Sequence, residues 1–198
     1  MKALTAELKT QFTIIGICVT LFWAIEIINQ GMFGDQLDIF GIIPRNIVGL
    51  RGIIFAPFLH VNFAHLIANT VPFIILSWFV MLQKISDFFL VTIYAMIIGG
   101  GGVWLFGEYR SVTIGASILI FAYLGFLLSR GLFQRNTPSI ALSLLVFFLY
   151  GGMIWGVLPS DPHISWLGHL FGFISGVLAA KTVAKRKNNS ENNPIFYE

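Results

Sequence analysis

The feature that most constrains this chain is a series of long apolar runs. Runs of roughly 17 to 25 mostly apolar residues, each long enough to cross ~30 Å of hydrocarbon as a helix, lie near 12–28, 63–82, 88–106, 114–130, 139–158 and 166–184. Since 57% of the 198 residues are hydrophobic and only 11% are charged, too little polar surface remains to cover a water-soluble domain. The sequence therefore predicts an all-α membrane protein with a bundle of six transmembrane helices.

The twelve Lys and Arg residues predict how these helices are oriented. With six spans, one side of the membrane holds nine of them: Lys2, Lys9, Lys84, Arg130, Arg135, Lys181, Lys185, Arg186 and Lys187. The other side holds only Arg45, Arg51 and Arg110. Because cytoplasmic loops carry the excess of positive charge, we expect a multi-pass protein with both termini in the cytoplasm.

The expected partners follow from the same charge pattern. The positive side favours anionic headgroups of the membrane lipid. No basic stretch interleaved with aromatic residues is present, so nucleic acid is not an expected partner. Cys18 is the single cysteine, which excludes an intramolecular disulfide and favours no thiol chemistry.

The chain is predicted to form one domain over residues 1–187, followed by a polar cytoplasmic tail over 188–198 that we expect to be disordered. Between the first and second spans, a stretch from about Asn29 to Leu59 mixes turn residues with large apolar ones. A loop of that length and apolarity is unlike a solvated connection. We therefore expect a long membrane-associated first loop that contains short helices.

Four polar residues occupy equivalent positions in alternate spans. The second, fourth and sixth spans all run from outside to inside, which places His60 and His65 at the outer end of the second, Ser117 in the first turn of the fourth and His169 near the start of the sixth. Such groups are costly in lipid and normally face the protein interior or water. A shared cavity open to the outside is predicted.

Local spacing strengthens this prediction. His65 and Asn69 are four residues apart and share a helical face. Gly115 and the alanine after it precede Ser117, leaving its hydroxyl accessible at a helix N-terminus, where backbone N–H groups favour a developing oxyanion. In the sixth span, Gly172 belongs to a ridge of small residues that permits close packing of another helix.

Three motifs occur in a fixed order along the chain: His60 to Asn69 (His, four residues, His-Leu, two residues, Asn), Gly-Ala-Ser at 115–117, and Gly-His at 168–169 followed by Gly172. Together with the six-span layout and the long first loop, they resemble the rhomboid intramembrane serine proteases over essentially the whole chain. The resemblance implies an intramembrane serine endopeptidase of the bacterial plasma membrane.

The resemblance also implies roles for particular residues. Ser117 is the expected nucleophile and His169 its base, while His65 and Asn69, with the Ser117 backbone N–H, are the expected oxyanion hole. Phe121, one turn after the serine, is expected to pack on the histidine ring. His60, Gly115 and Gly172 are expected to support the site by fixing the first loop and by allowing close packing.

The chemistry implied is that of a Ser-His dyad without a metal or other cofactor. Serine needs an adjacent base to become a nucleophile, and histidine then returns the proton to the leaving amine. A substrate has to offer extended backbone within the membrane, so single-span transmembrane proteins are the expected substrates, cut near the outer face.

Two other functions remain open at this stage. Rhomboid proteases usually have glycine after the nucleophile, whereas this chain has Ile118, so a catalytically inactive rhomboid-like protein that binds transmembrane helices is the main alternative. A metal site of His60, His65 and His169 is the other, although the spacing and the lack of an intramembrane carboxylate ligand argue against it.

Overall fold

The apolar runs form six helices long enough to cross a membrane in the computed structural model, which describes residues 2–159 and 165–192. These helices are α1 (Leu4–Phe33), α2 (Phe63–Met81), α3 (Ile85–Phe106), α4 (Ser117–Gln134), α5 (Thr137–Val157) and α6 (Trp166–Arg186). The predicted six-helix membrane fold is thereby confirmed, and the protein is a multi-pass membrane protein. An even number of spans places both ends of the bundle at one face. The face where α2, α4 and α6 begin is called the cavity face below.

Several helices depart from regular α geometry. The first helix is α-helical over Lys2–Ile28 and ends in a π-helical turn, Asn29–Phe33. The third is π-helical over Ala95–Gly100, and the fifth ends in a 3₁₀ segment, Gly151–Val157. The last helix runs on from Trp166 to Asn192. It therefore enters the predicted disordered tail, of which residues 193–198 lie outside the described residues.

The first helix begins well before the position predicted from hydropathy. Its polar first turns are tied into the bundle, because the Gln11 side chain donates to the Met81 carbonyl at 3.2 Å and accepts from the Trp78 indole at 3.1 Å. Thr10 and Thr13 hydroxyls bond to carbonyls one turn back. These contacts satisfy polar groups that would otherwise end an apolar span.

The fourth helix lies at the centre of the bundle. In α4, 72% of the residues in its most apolar window are buried, against 6% in α5. Its closest neighbour is α6, and the two backbones nearly touch: a Cβ at Gly176 would collide with the Ala122 carbonyl oxygen, and one at Gly125 with the Phe173 carbonyl oxygen. Small residues thus allow the close packing that was expected of the sixth span.

The first loop folds into short helical turns, namely Gln36–Phe40, Val48–Arg51, Gly52–Phe55 and Ala56–Phe58. It is attached to the loop between α3 and α4 by a backbone bridge in which Ile42 and Thr113 exchange two N–H···O bonds of 2.9 Å. Arg51 donates to the Ile39 carbonyl at 3.0 Å and lies over the Phe40 ring at 4.3 Å. The loop is therefore a folded scaffold, and its exposed side includes apolar residues such as Ile47.

At the opposite face, a buried ion pair joins α3 to α4. Arg130 Nη1 lies 2.8 Å from Asp87 Oδ2, and both side chains are almost fully buried. The same guanidinium lies 5.1 Å from the centre of the Phe126 ring. Arg130 ends the predicted fourth span and was assigned to the cytoplasmic side, but α4 continues past it to Gln134, and its partner satisfies the charge inside the bundle.

Candidate active site

The start of α2 is fixed by a side-chain cap. Asn62 adopts extended backbone angles, and its side-chain oxygen accepts a hydrogen bond from the His65 backbone N–H at 2.8 Å, as N-cap residues typically do. His65 and Asn69 consequently lie in the first two turns. The Asn69 amide donates one N–H to the His65 carbonyl at 2.9 Å, which orients the side chain and leaves its second N–H for another acceptor.

Gly115 positions the beginning of α4. Its φ of +118° lies in the region that favours glycine, and its N–H donates to the Ala56 carbonyl of the first loop at 2.9 Å. A Cβ at this position would lie 2.7 Å from Cε1 of the His65 ring. The glycine therefore allows the His65 ring to pack directly against the turn that leads into Ser117, the first residue of α4.

The His169 ring is held from two sides. Its Nδ1 lies 2.9 Å from the carbonyl oxygen of Gly156, in the 3₁₀ end of α5. The Phe121 ring of α4 stacks on the imidazole with a centroid separation of 4.0 Å and an interplanar angle of 7°. Because a carbonyl oxygen can only accept, Nδ1 carries the proton, and the neutral ring keeps its lone pair on Nε2. That is the tautomer that a general base needs.

A cavity of about 880 Å³ brings the principal predicted residues together. Its walls include Ser117, His169, His65, Asn69 and Phe121. The cavity lies at the cavity face of the bundle and mixes these polar groups with apolar side chains. A half-buried serine at a helix N-terminus and a histidine with an unprotonated Nε2 therefore line one cavity.

Three of the predicted supporting residues lie outside the cavity wall. His60 is completely buried, with its ring 5.3 Å from the His65 ring and 5.8 Å from the Phe22 ring. Gly115 packs beneath His65, and Gly172 packs against the backbone of α4. His60 and Gly115 thus pack against His65, and Gly172 packs against α4, the helix that begins with Ser117.

Ile118, the departure from the usual rhomboid pattern, points away from the cavity. Its side chain is 3% exposed and is absent from the described wall of the cavity. A Cβ at Gly99 of α3 would lie 2.7 Å from Ile118 Cγ2, and one at Gly168 of α6 would lie 3.2 Å from Ile118 Cγ1. The isoleucine thus fills a socket between α3 and α6 and does not line the described cavity wall.

The group that orients His169 was not predicted from the sequence. This group is the backbone carbonyl of Gly156. Every residue has such a carbonyl, so the residue type does not indicate its role. The glycine is needed, because a Cβ there would lie 2.9 Å from the Phe121 ring and 3.4 Å from His169 Nδ1. Glu108, also in the cavity wall, was missed as well, although it is an acidic residue between the third and fourth spans.

The proposed metal alternative finds no support in the geometry. Within residues 2–159 and 165–192, no group of three or more His, Cys, Asp or Glu side chains is arranged to hold a metal ion. His163, between the fifth and sixth apolar runs, lies outside the described residues.

The fold and the cavity define a class: a six-helix membrane protein with serine, histidine and asparagine side chains in a cavity at one face. Residues 48–186, well over half of the chain, match the Rhomboid domain. The chain therefore belongs to the rhomboid family, a family of intramembrane proteases.

Relatives in other organisms agree with this assignment. An uncharacterized protein of Mycobacterium tuberculosis is 44% identical over 170 residues, which is 82% of this chain and 70% of the relative. An uncharacterized protein of Mycobacterium leprae is 42% identical over 170 residues, covering 82% of this chain and 67% of the relative. RHOMBOID-like protein 1 of Arabidopsis thaliana is 30% identical over 148 residues, which is 70% of this chain and 37% of the relative.

Proposed function

We propose that this protein is an intramembrane serine endopeptidase that cuts transmembrane segments of single-span membrane proteins through Ser117 and His169. The observation that carries the proposal is the environment of His169. Its Nδ1 is engaged by the Gly156 carbonyl and its ring is stacked on Phe121, while Ser117 lies in the wall of the same cavity. Nε2 is thereby the nitrogen available for the serine proton.

In the proposed mechanism, Ser117 Oγ attacks a substrate carbonyl carbon and its proton passes to His169 Nε2. The carbonyl oxygen becomes an oxyanion that accepts hydrogen bonds from the Ser117 backbone N–H, the Asn69 amide and the His65 ring. The C–N bond breaks as the imidazolium returns the proton to the leaving amine. Water, deprotonated by His169, then attacks the acyl-enzyme, and the departing Ser117 oxygen recovers the proton.

The position of Ile118 supports catalysis over the silent alternative. A bulky residue after the nucleophile would obstruct substrate only if its side chain entered the cavity. Here it is buried between α3 and α6, and the backbone N–H of Ser117 is unaffected by the identity of the next side chain. Ile118, the residue that favoured the helix-binding alternative, is therefore explained by its packing between α3 and α6.

We place the cavity face outside the cell and both termini in the cytoplasm of a bacterial plasma membrane. The Lys and Arg residues support this orientation, since Lys9, Lys84, Arg135, Lys181 and Arg186 lie toward the opposite face. Substrates would then be cut near the outer surface of the membrane, with water entering from outside.

The test is cleavage of a purified single-span substrate in liposomes that contain the purified protein. The substrate carries one apolar helix whose outer turns are rich in Gly and Ala, because cleavage requires the helix to unwind locally. Wild-type protein should release two fragments, and Ser117→Ala and His169→Ala should release none. Ser143→Ala is the matched control, since Ser143 bonds to the Leu127 carbonyl away from the cavity. Fragments of equal yield from Ser117→Ala would refute the proposal.

A further inference from the structure

The cavity wall contains one charged residue among the residues that the structure describes there. Glu108 lies just beyond the end of α3, at the cavity face, and its side chain is exposed to solvent. The other described wall residues are apolar, uncharged polar or histidine. A substrate segment in the cavity therefore meets a localised negative charge at Glu108.

The backbone of Glu108 is fixed from both sides. Gly107, the preceding residue, donates its N–H to the Val103 carbonyl at 2.7 Å, and a Cβ there would lie 2.6 Å from Pro44 Cγ. On the other side, the Glu108 carbonyl accepts the Ser111 hydroxyl at 2.7 Å and the Ser111 N–H at 3.2 Å. The carboxylate thus starts from an anchored position, which is a requirement for selecting among substrates.

Arg110 on the same loop and Arg45 on the first loop contact other groups. Arg110 lies over the Tyr109 ring at 5.5 Å, and Arg45 donates to the Leu105 carbonyl at 3.4 Å. Neither residue belongs to the described cavity wall. Among the described wall residues, Glu108 is therefore the negative charge that a bound segment meets.

The size of the cavity sets how far the effect reaches along a substrate. A sphere of 880 Å³ is about 12 Å across, and an extended chain advances ~3.3 Å per residue. An extended segment inside a sphere of that size therefore spans at most roughly three or four substrate residues. Because Glu108 lies beyond the end of a span, it faces the part of the substrate that leads out of the membrane.

We propose that Glu108 is a specificity-determining residue that favours substrates with Lys or Arg within about four residues of the cut bond, on the side that leads out of the membrane. The proposal rests on the proposed protease function. An opposite charge at this partly solvated site is worth a modest amount, equivalent to about two- to five-fold in rate. A like charge has a similar effect in the opposite direction.

The experiment uses three versions of the single-span liposome substrate that differ only at one position on the outward side of the cut bond. That position is Gln, Lys or Glu, and it is scanned over the four residues nearest the bond. For wild-type protein we expect kcat/KM to fall in the order Lys, Gln, Glu at one or more positions, by about two- to five-fold per step, and to converge at high salt.

Variants of the protein assign the effect to this carboxylate. Glu108→Gln should cleave the three substrates at equal rates, and Glu108→Lys should reverse the order. Asp35→Asn is the matched control, because Asp35 is an exposed acid of the first loop outside the described cavity wall; it should keep the wild-type order. The rate with the Gln substrate should change little in Asp35→Asn.

The outcomes separate the two proposals. If wild-type protein cuts the Gln substrate and Ser117→Ala does not, while the Lys and Glu versions are cut equally at all four positions, the protease function holds and the role of Glu108 is refuted. An order that persists unchanged in Glu108→Gln refutes it too. If wild-type protein cuts no version, both proposals fail.

Discussion

The His169 imidazole is oriented by a neutral backbone carbonyl and an aromatic ring, and no carboxylate takes part among the described contacts. Gly156 fixes the tautomer through a 2.9 Å hydrogen bond, and Phe121 fixes the ring plane. Both partners hold the ring without placing a full charge in the bilayer, where an unpaired carboxylate would be costly. The histidine then depends on stacking for its position more than a base in a charged triad does.

This dependence predicts the effect of shortening Phe121. Phe121→Leu removes the stacked ring, so His169 should sample orientations unsuited to proton transfer, and kcat should fall by about two- to ten-fold, the range expected for loss of an aromatic pair. The liposome cleavage assay measures the change, with KM expected to remain similar. Phe171→Leu is the control, because Phe171 lies on α6 but stacks on Phe106 at 5.4 Å, away from the cavity wall. Equal losses in both variants would contradict the account.

A second residue prediction concerns the oxyanion. Asn69→Ala should lower kcat by about two to three orders of magnitude, because one oxyanion donor typically stabilises the transition state by roughly 2.7–4 kcal/mol. Thr70→Ala is the neighbouring control: its hydroxyl bonds to the Leu66 carbonyl and accepts from the Trp23 indole, remote from the cavity. Labelling of Ser117 by a small serine-directed probe should persist in Asn69→Ala at a reduced rate. An unchanged kcat would remove Asn69 from the proposed mechanism.

At the scale of helices, the site is positioned by the junction of α3, α4 and α6. The Ile118 side chain occupies a socket bounded by Gly99 and Gly168. Gly172 instead faces the Ile118 backbone, because a Cβ at Gly172 would lie 2.5 Å from the Ile118 carbonyl oxygen. Both glycines thus pack against Ile118. Gly99 faces its side chain, and Gly172 faces its backbone carbonyl. In a membrane, helix association relies on such close packing, because lipid supplies no hydrophobic driving force between helices.

This difference predicts the result of a double-mutant cycle. Gly99→Ala should destabilise the protein, and Ile118→Ala should relieve that loss because it removes the Cγ2 atom that the new methyl group would meet. Gly172→Ala should also destabilise it, but Ile118→Ala should give no relief, since the backbone oxygen remains. Thermal unfolding in detergent measures each variant, with Gly101→Ala as the control because nothing lies within 4 Å of its hypothetical Cβ. Equal rescue of both glycine variants would refute the socket.

The helices were largely predictable, and the connections between them were not. Apolar runs determine where spans lie, so α2 begins at Phe63 and α6 at Trp166, as the sequence indicated. Charge counts cannot show that Arg130 is paired with Asp87 across two helices. The polar first turns of α1 were also missed, because hydropathy does not register contacts such as that of Gln11 with Met81.

For the candidate site, residue types and spacing predicted which side chains share the cavity but not what holds them. Ser117 and His169 could be paired because alternate spans run in the same direction. The Gly156 and Ala56 carbonyls are backbone groups, and their positions depend on the 3₁₀ segment of α5 and the fold of the first loop. The direction of the Ile118 side chain required knowledge of the α3 packing.

At the scale of the whole molecule, the two faces are built differently. The opposite face is held by the buried ion pair of Asp87 and Arg130. At the cavity face no ion pair joins the described loop residues, which are connected by hydrogen bonds such as those between Ile42 and Thr113. His60 is completely buried at the cavity face, just before α2. Burial and the neighbouring His65 lower its pKa from 6.5 to about 3. Between these two pH values the ring is neutral in the folded protein and protonated in the unfolded chain.

The low pKa of His60 predicts how stability depends on pH. The unfolded chain binds a proton with a pKa near 6.5 while the folded one resists it until about pH 3, so this contribution is complete above pH 6.5 and is lost as the pH falls toward 3. The midpoint of thermal unfolding in detergent should therefore decrease over that interval. His60→Phe, which retains a buried ring, should have a smaller decrease, with His60→Leu as a second variant. Identical slopes in wild type and both variants would contradict this explanation.

Activation of Ser117 by His169 is tested by labelling the purified protein with a fluorophosphonate serine probe. The probe needs no knowledge of the natural substrate, and folding of each purified variant is verified by its thermal unfolding transition. We predict stoichiometric labelling of wild-type protein at Ser117, no labelling of Ser117→Ala, and strongly reduced labelling of His169→Ala. A folded wild-type protein that resists the probe, or a His169→Ala variant labelled at the wild-type rate, would contradict the account.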